Sequence, residues 1–162
     1  MKKGGKKMNR ILISLMTTIL VFGLAISSHA ILIDRGGGMI YSTDMDVTWL
    51  QDAKYARTSG YDADGLMNWY DAMQWAQNLS YGGYDDWRLP TYLNEYEYQG
   101  DNAPPEHEMA YLLYKELGQD NYPYDHGPFI NVATGPEGYE YAYWSSTEFL
   151  PNNAGYLYMD CG

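Results

Sequence analysis

The stretch Gly82-Gly83-Tyr84-Asp85-Asp86-Trp87-Arg88-Leu89-Pro90-Thr91 constrains the fold more than any other part of the chain. Two adjacent glycines allow a tight turn with positive φ. Trp87 and Leu89 flank Arg88 in the alternation of a short, half-buried strand. Pro90 fixes its own φ and disfavours helix at Leu89, so the strand should end there. Thr91 can then open a turn or cap a helix. A guanidinium between two large apolar residues requires a wet face or a carboxylate partner. A structural corner is the preferred reading, with Trp87 and Leu89 in the core; a ligand contact by Arg88 is the alternative.

The chain opens as a targeting segment. Lys2, Lys3, Lys6, Lys7 and Arg10 precede an apolar run from Ile11 to Ile26, and Ser28-His29-Ala30 supplies small residues after it. This is the pattern of a secretory signal peptide, residues 1–30, cleaved after Ala30. An uncleaved anchor is the alternative, but the run is short for a membrane span. No second apolar run follows. The expected location is secreted, periplasmic or cell-surface.

Cleavage leaves residues 31–162, enough for one ordinary domain. It also leaves five basic residues against 21 Asp and Glu, a formal charge of −16 (5 − 21). Such a surface repels nucleic acid and anionic lipid. It suits solubility, basic partners or divalent cations. Cys161 is the single cysteine, so it cannot pair within the chain, and cysteine-based zinc sites are excluded.

Met39-Ile40-Tyr41 and Val47-Thr48-Trp49-Leu50 read as two strands of a hairpin around Ser42 to Asp46. Gly36-Gly37-Gly38 lacks the helix and Lys-Ser/Thr of a phosphate loop. Residues 53–67 read as irregular. Asp62-Ala63-Asp64-Gly65 resembles the start of a calcium loop, but the twelfth position is Met73 rather than Glu, so it is no EF-hand. Calcium at Asp62 and Asp64 and a turn capped by their side chains are the two readings. Asn68 caps a helix whose Trp69, Ala72, Met73, Ala76 and Leu79 form an apolar stripe, with Gln74, Gln77 and Asn78 facing away.

Tyr92 to Pro105 reads as an exposed excursion. A second helix is expected over Glu106–Leu117, closed by Gly118, with Met109, Leu112, Leu113 and Leu117 inward. Glu116 projects onto that apolar face and needs a partner. Arg88 is one candidate, at salt-bridge distance; the alternative is that Glu116 reaches solvent near the helix end. Tyr141 to Thr147 reads as a central strand, broken by Pro151 to Gly155, and Tyr156 to Met159 begins another.

In this order, several pieces resemble the Lcl C-terminal domain family of bacterial exported domains. They are Thr48 to Ala53, the helix through Trp75 and Leu79, Gly82 to Thr91, Glu108-Met109, Glu116-Leu117-Gly118, Gly127-Pro128-Phe129 and Tyr143 to Thr147. The resemblance implies an α+β, C-type-lectin-like fold: a small twisted antiparallel sheet, two flanking helices and long loops. It implies another core strand beyond Gly162, so the chain reads as incomplete at its C-terminus. It also implies a surface module that contacts glycans. Sugar-binding relatives of this fold hold calcium with a Glu-Pro-Asn loop and a later Trp-Asn-Asp. Here Glu148 and Pro151 are separated, and the later motif is absent. Trp144, Ser146, Glu148, Asn152 and Asn153 are the candidate ligand contacts on this basis.

Enzymatic machinery is thin. His107 and His126 are the only histidines after the leader, and neither a Gly-x-Ser-x-Gly elbow nor a His-Glu-x-x-His motif occurs. Oxidative formylglycine-type chemistry needs two cysteines. The leading expectation is a non-catalytic exported binder of glycan or another surface polymer. A calcium-steadied structural or protein-interaction domain comes second, and an extracellular hydrolase using paired carboxylates third.

Overall fold

The computed structural model describes residues 31–93, 102–118, 125–133, 142–150 and 153–158. Residues 1–30, expected to be a leader, lie outside these residues, as do Asn152, Cys161 and most of the expected excursion after Tyr92. The architecture is α+β.

Three strands form the first sheet, in the order β1 (Leu32–Gly36), β2 (Met39–Ser42) and β3 (Val47–Leu50), all antiparallel. The expected hairpin is β2–β3, with Ser42 opposite Val47. The triple glycine makes the turn that precedes it. Gly36, Gly37 and Gly38 all have positive φ. At Gly38 a Cβ would also strike the Tyr81 hydroxyl, which donates to Gly37 O at 2.8 Å. Gly82 has the same constraint from the other side: its Cβ would strike Met39. Gly82, the first residue of the corner, is thus seated directly on the first sheet.

A one-turn helix, α1 (Tyr55–Thr58), occupies part of the segment expected to be irregular. Asp52 organises it locally, accepting from Lys54 N at 2.9 Å and from Thr58 Oγ1 at 2.7 Å. Next comes α2 (Trp69–Asn78), capped as the sequence predicts: Asp71 N donates to Asn68 Oδ1 at 3.0 Å. Ala72 and Ala76 are buried, and Gln74, Gln77 and Asn78 are exposed.

The expected second helix is shorter and wider than a regular one. It starts as α3 (Glu108–Ala110) and continues as a π-helical segment, Tyr111–Glu116. Leu117 N reaches back to Leu112 O, the five-residue bond of a π turn. Leu112 and Leu113 are buried, and Gly118 ends the segment with positive φ. The remaining strands, β4 (Ala142–Leu150) and β5 (Asn153–Tyr158), form a second antiparallel pair. Among the described residues there are therefore two small sheets rather than one.

Trp87-Arg88-Leu89 is not a strand. The donors around Pro90 are engaged elsewhere: proline has none, and Thr91 N donates to Glu108 Oε2 at 2.8 Å. Pro90 O joins the second sheet, accepting from Ser146 N at 2.8 Å. Ile40, Ala56, Ala72, Ala76, Met109, Leu112 and Leu113 are among the buried core residues. Many of these are small. Trp49, Trp75, Trp87, Tyr143 and Trp144 are only half-buried, and they line a cavity.

Candidate functional site

The cavity measures about 790 Å³ and lies between the first sheet, α1, α2, the Trp87–Pro90 corner and β4. Its walls include Trp49 from β3, Trp75 from α2, Trp87 from the corner, and Tyr143 and Trp144 from β4. Several of these rings are held in place by polar contacts. Trp87 Nε1 donates to Tyr81 O at 3.2 Å, and Trp144 Nε1 donates to Met67 O at 2.8 Å. Tyr143 Oη accepts from Ala133 N at 2.8 Å; burial pushes its phenol pKa up, Ala133 N opposes that, and Asp52 adds to it. Edge-to-face contacts run from Tyr55 to Tyr81 (4.8 Å) and from Tyr81 to Trp87 (6.0 Å). The aromatic wall is thereby preformed.

Arg88 and Glu108 also line this space. Their pairing is bidentate, with Nη1 to Oε2 at 2.7 Å and Nη2 to Oε1 at 2.5 Å. The Arg88–Glu116 bridge expected from the sequence does not form. The reason is positional: Glu108 stands at the start of the helix, facing the corner, and already accepts from Thr91 N beside it. Burial pushes the Glu108 carboxyl up, but Arg88 and Thr91 outweigh it and hold the group below its ordinary value. The Glu108 bond also raises Arg88, against the effect of burial.

Glu116 goes to the first sheet instead. The fully buried Ser42 donates from Oγ to Glu116 Oε1 at 2.5 Å. Oε2 is buried without a partner. Burial raises the Glu116 pKa, Ser42 opposes this, and the nearby Asp44 adds to it. Asp44 also accepts from Tyr111 Oη at 2.9 Å. Tyr111 is pushed up to about 12 by burial and then by Asp44.

The candidate ligand contacts from the sequence separate. Trp144 lines the cavity. Ser146 turns to the corner, donating from Oγ to Pro90 O at 3.3 Å. Glu148 is exposed on β4 opposite Ala154, and the backbone of Asn153 pairs with Leu150. Trp87, Arg88, Leu89 and Pro90, expected to be purely structural, all border the cavity, with Trp87 and Leu89 half-buried rather than in the closed core.

Asp62 and Asp64 cap their own turn. Asp62 Oδ1 accepts from Gly65 N at 2.7 Å and Asp64 N at 3.2 Å, and Asp64 Oδ1 accepts from Leu66 N at 2.9 Å. The Gly65 bond is the main influence holding the Asp62 carboxyl below its ordinary value. Asp64 borders the cavity. Among the described residues no three His, Cys, Asp or Glu side chains converge on a metal position. His107 is buried and caps α3, its Nδ1 accepting from Ala110 N at 3.4 Å; burial lowers its pKa. Sequence reasoning missed Glu108, Trp49, Trp75 and Tyr143 as members of one site. A carboxylate in the first turn of the expected helix was the available signal for Glu108.

Among the described residues no helix is long and apolar enough to cross a membrane. No curated protein and no solved structure matches the chain. The family model of the Lcl C-terminal domain matches residues 38–162, spanning the first hairpin, the corner, the helices and the second sheet. With most of its length covered in that order, the chain belongs to the Lcl C-terminal domain family.

Proposed function

We propose that this protein is an exported, non-catalytic binding module of C-type-lectin-like fold that holds a glycan or a similar surface polymer. The supporting observation is the preformed cavity walled by Trp49, Trp75, Trp87, Tyr143 and Trp144. Aromatic faces stack on the C–H faces of sugar rings, and the neighbouring polar groups can take hydroxyl hydrogen bonds. The basic, apolar and small-residue leader supports export. Glu108 is gripped bidentately by Arg88, a partner that favours its charged form over the protonated form a general acid needs.

A glycan array with the mature chain tests the reading, run with and without a chelator. At least one glycan should bind. Trp75→Ala should weaken that binding roughly tenfold, about 1.4 kcal/mol, with little change in the fold because Trp75 is half-buried. A blank array in both conditions overturns the proposal.

A further inference from the structure

We infer that the cavity selects an amine-bearing glycan, one whose sugars carry free protonated amino groups, over neutral or acidic glycans. This rests on the glycan reading above and assigns the ligand's charge.

The inference comes from the charges on the cavity wall and their partners. Arg88 is the cation at the corner, one of three on the wall with Lys54 and Arg57. Its two Nη groups are both committed to Glu108, at 2.7 and 2.5 Å, and Nη1 also donates to Leu89 O at 3.1 Å. The pair is neutral as a unit and offers an incoming sulfate or carboxylate little. Setting it aside, the wall carries Asp46, Asp52, Asp64 and Asp86 against Lys54 and Arg57. The surplus is negative. Asp46, Asp64 and Asp86 are exposed, so they meet the ligand from the wet side.

The geometry amplifies that surplus. A concave site with apolar walls focuses the field of its charges. Here the wall between the carboxylates is aromatic, and a protonated amine gains from ring faces as well as from carboxylates. Sulfates or uronates meet the opposite field. Residues 31–162 as a whole carry the same sign, with a formal charge of −16 (5 − 21). The same aromatic wall separates this ligand from a merely basic peptide, because pyranose rings supply flat apolar faces that a lysine chain lacks.

Calorimetry on the mature chain with three hexasaccharides of one glucosamine backbone provides the test. One carries free amines, one is N-acetylated and one is N-sulfated; a lysine hexamer serves as a fourth probe. The pH is mildly acidic so that the amines are protonated. The free-amine hexamer should bind about tenfold tighter than the acetylated one, roughly 1.4 kcal/mol, and the sulfated one should not bind. Asp64→Asn with Asp86→Asn should remove most of that gap, and asparagine can still cap the Leu66 N–H. Equal or tighter binding of the acetylated or sulfated hexamer overturns the inference and leaves the glycan reading standing. Equal binding of the lysine hexamer overturns it as well, because charge alone would then suffice. No binding by the free-amine hexamer also overturns it; if the array is blank too, the glycan reading falls with it.

Discussion

Glu108 and Glu116 begin and end one helical stretch, and both carboxylates are withdrawn from water, yet they titrate in opposite directions. Glu108 has both oxygens on Arg88 and takes a backbone N–H from Thr91. Glu116 has one hydroxyl, from Ser42, a second oxygen without a partner, and the Asp44 carboxylate nearby. Burial alone does not decide the fate of a carboxyl group. Burial pushes both up, and partner chemistry then brings one down and leaves the other raised. The Glu108 end fastens the Trp87–Pro90 corner. The Glu116 end fastens the first hairpin under strain of charge.

The largest expected effect is at the satisfied end. Glu108→Ala leaves Arg88 without its carboxylate and Thr91 N without its acceptor. The loss should be about 3 kcal/mol, at the low end for a broken buried pair because the Arg88 side chain is 50% exposed. Urea unfolding at neutral pH reads it as a lowered midpoint. Glu116→Ala in the same assay should do far less damage. Equal losses would erase the contrast between the two ends.

Ser42→Ala comes next. Ser42 is 0% exposed; its hydroxyl donates to Glu116 and accepts from Met45 N at 3.1 Å. Alanine leaves both groups unpaired, for a loss of about 2 kcal/mol. The variant should lose more stability at neutral pH than at a pH low enough for Glu116 to take its proton, since the protonated carboxyl needs the hydroxyl less. A loss that is the same at both pH values would detach Ser42 from the titration of Glu116.

The features legible in the sequence are those set by local chemistry. Asn68 caps α2 because an amide oxygen three residues before a free N–H suffices, and the hairpin follows from alternation around a turn. The π turn at Tyr111–Glu116 was not legible, since an apolar spacing that fits an α-helix also fits one extra residue per turn. The partner of Arg88 was not legible either. Glu108 and Glu116 both belong to the expected helix, and only the approach of the corner to the helix start chooses between them. The cavity is the deepest omission. Trp49, Trp75 and Trp87 follow the same pattern whether they fill a core or wall a hollow, and that depends on packing between segments far apart in the chain.

The smallest expected effect is the most informative about the comparison. Glu116 has a folded pKa above its unfolded value, so its contribution is fully present below the unfolded pKa and is lost as pH rises through the folded one. At neutral pH the charged form therefore weakens the fold. Glu108 has the opposite sign: its contribution is present above the unfolded pKa and is lost as pH falls through the folded one. On acidification from neutral, stability should first rise as Glu116 takes its proton, then fall as Glu108 takes one. Glu116→Gln keeps an oxygen for Ser42 and removes the charge facing Asp44. It should gain roughly 1 kcal/mol at neutral pH and abolish the initial rise while leaving the later fall in place. Thermal melts of both proteins across that pH range read the two arms separately. If the rise persists in the glutamine variant, it belongs to another group, and the unpartnered oxygen of Glu116 is not what sets this end of the helix apart.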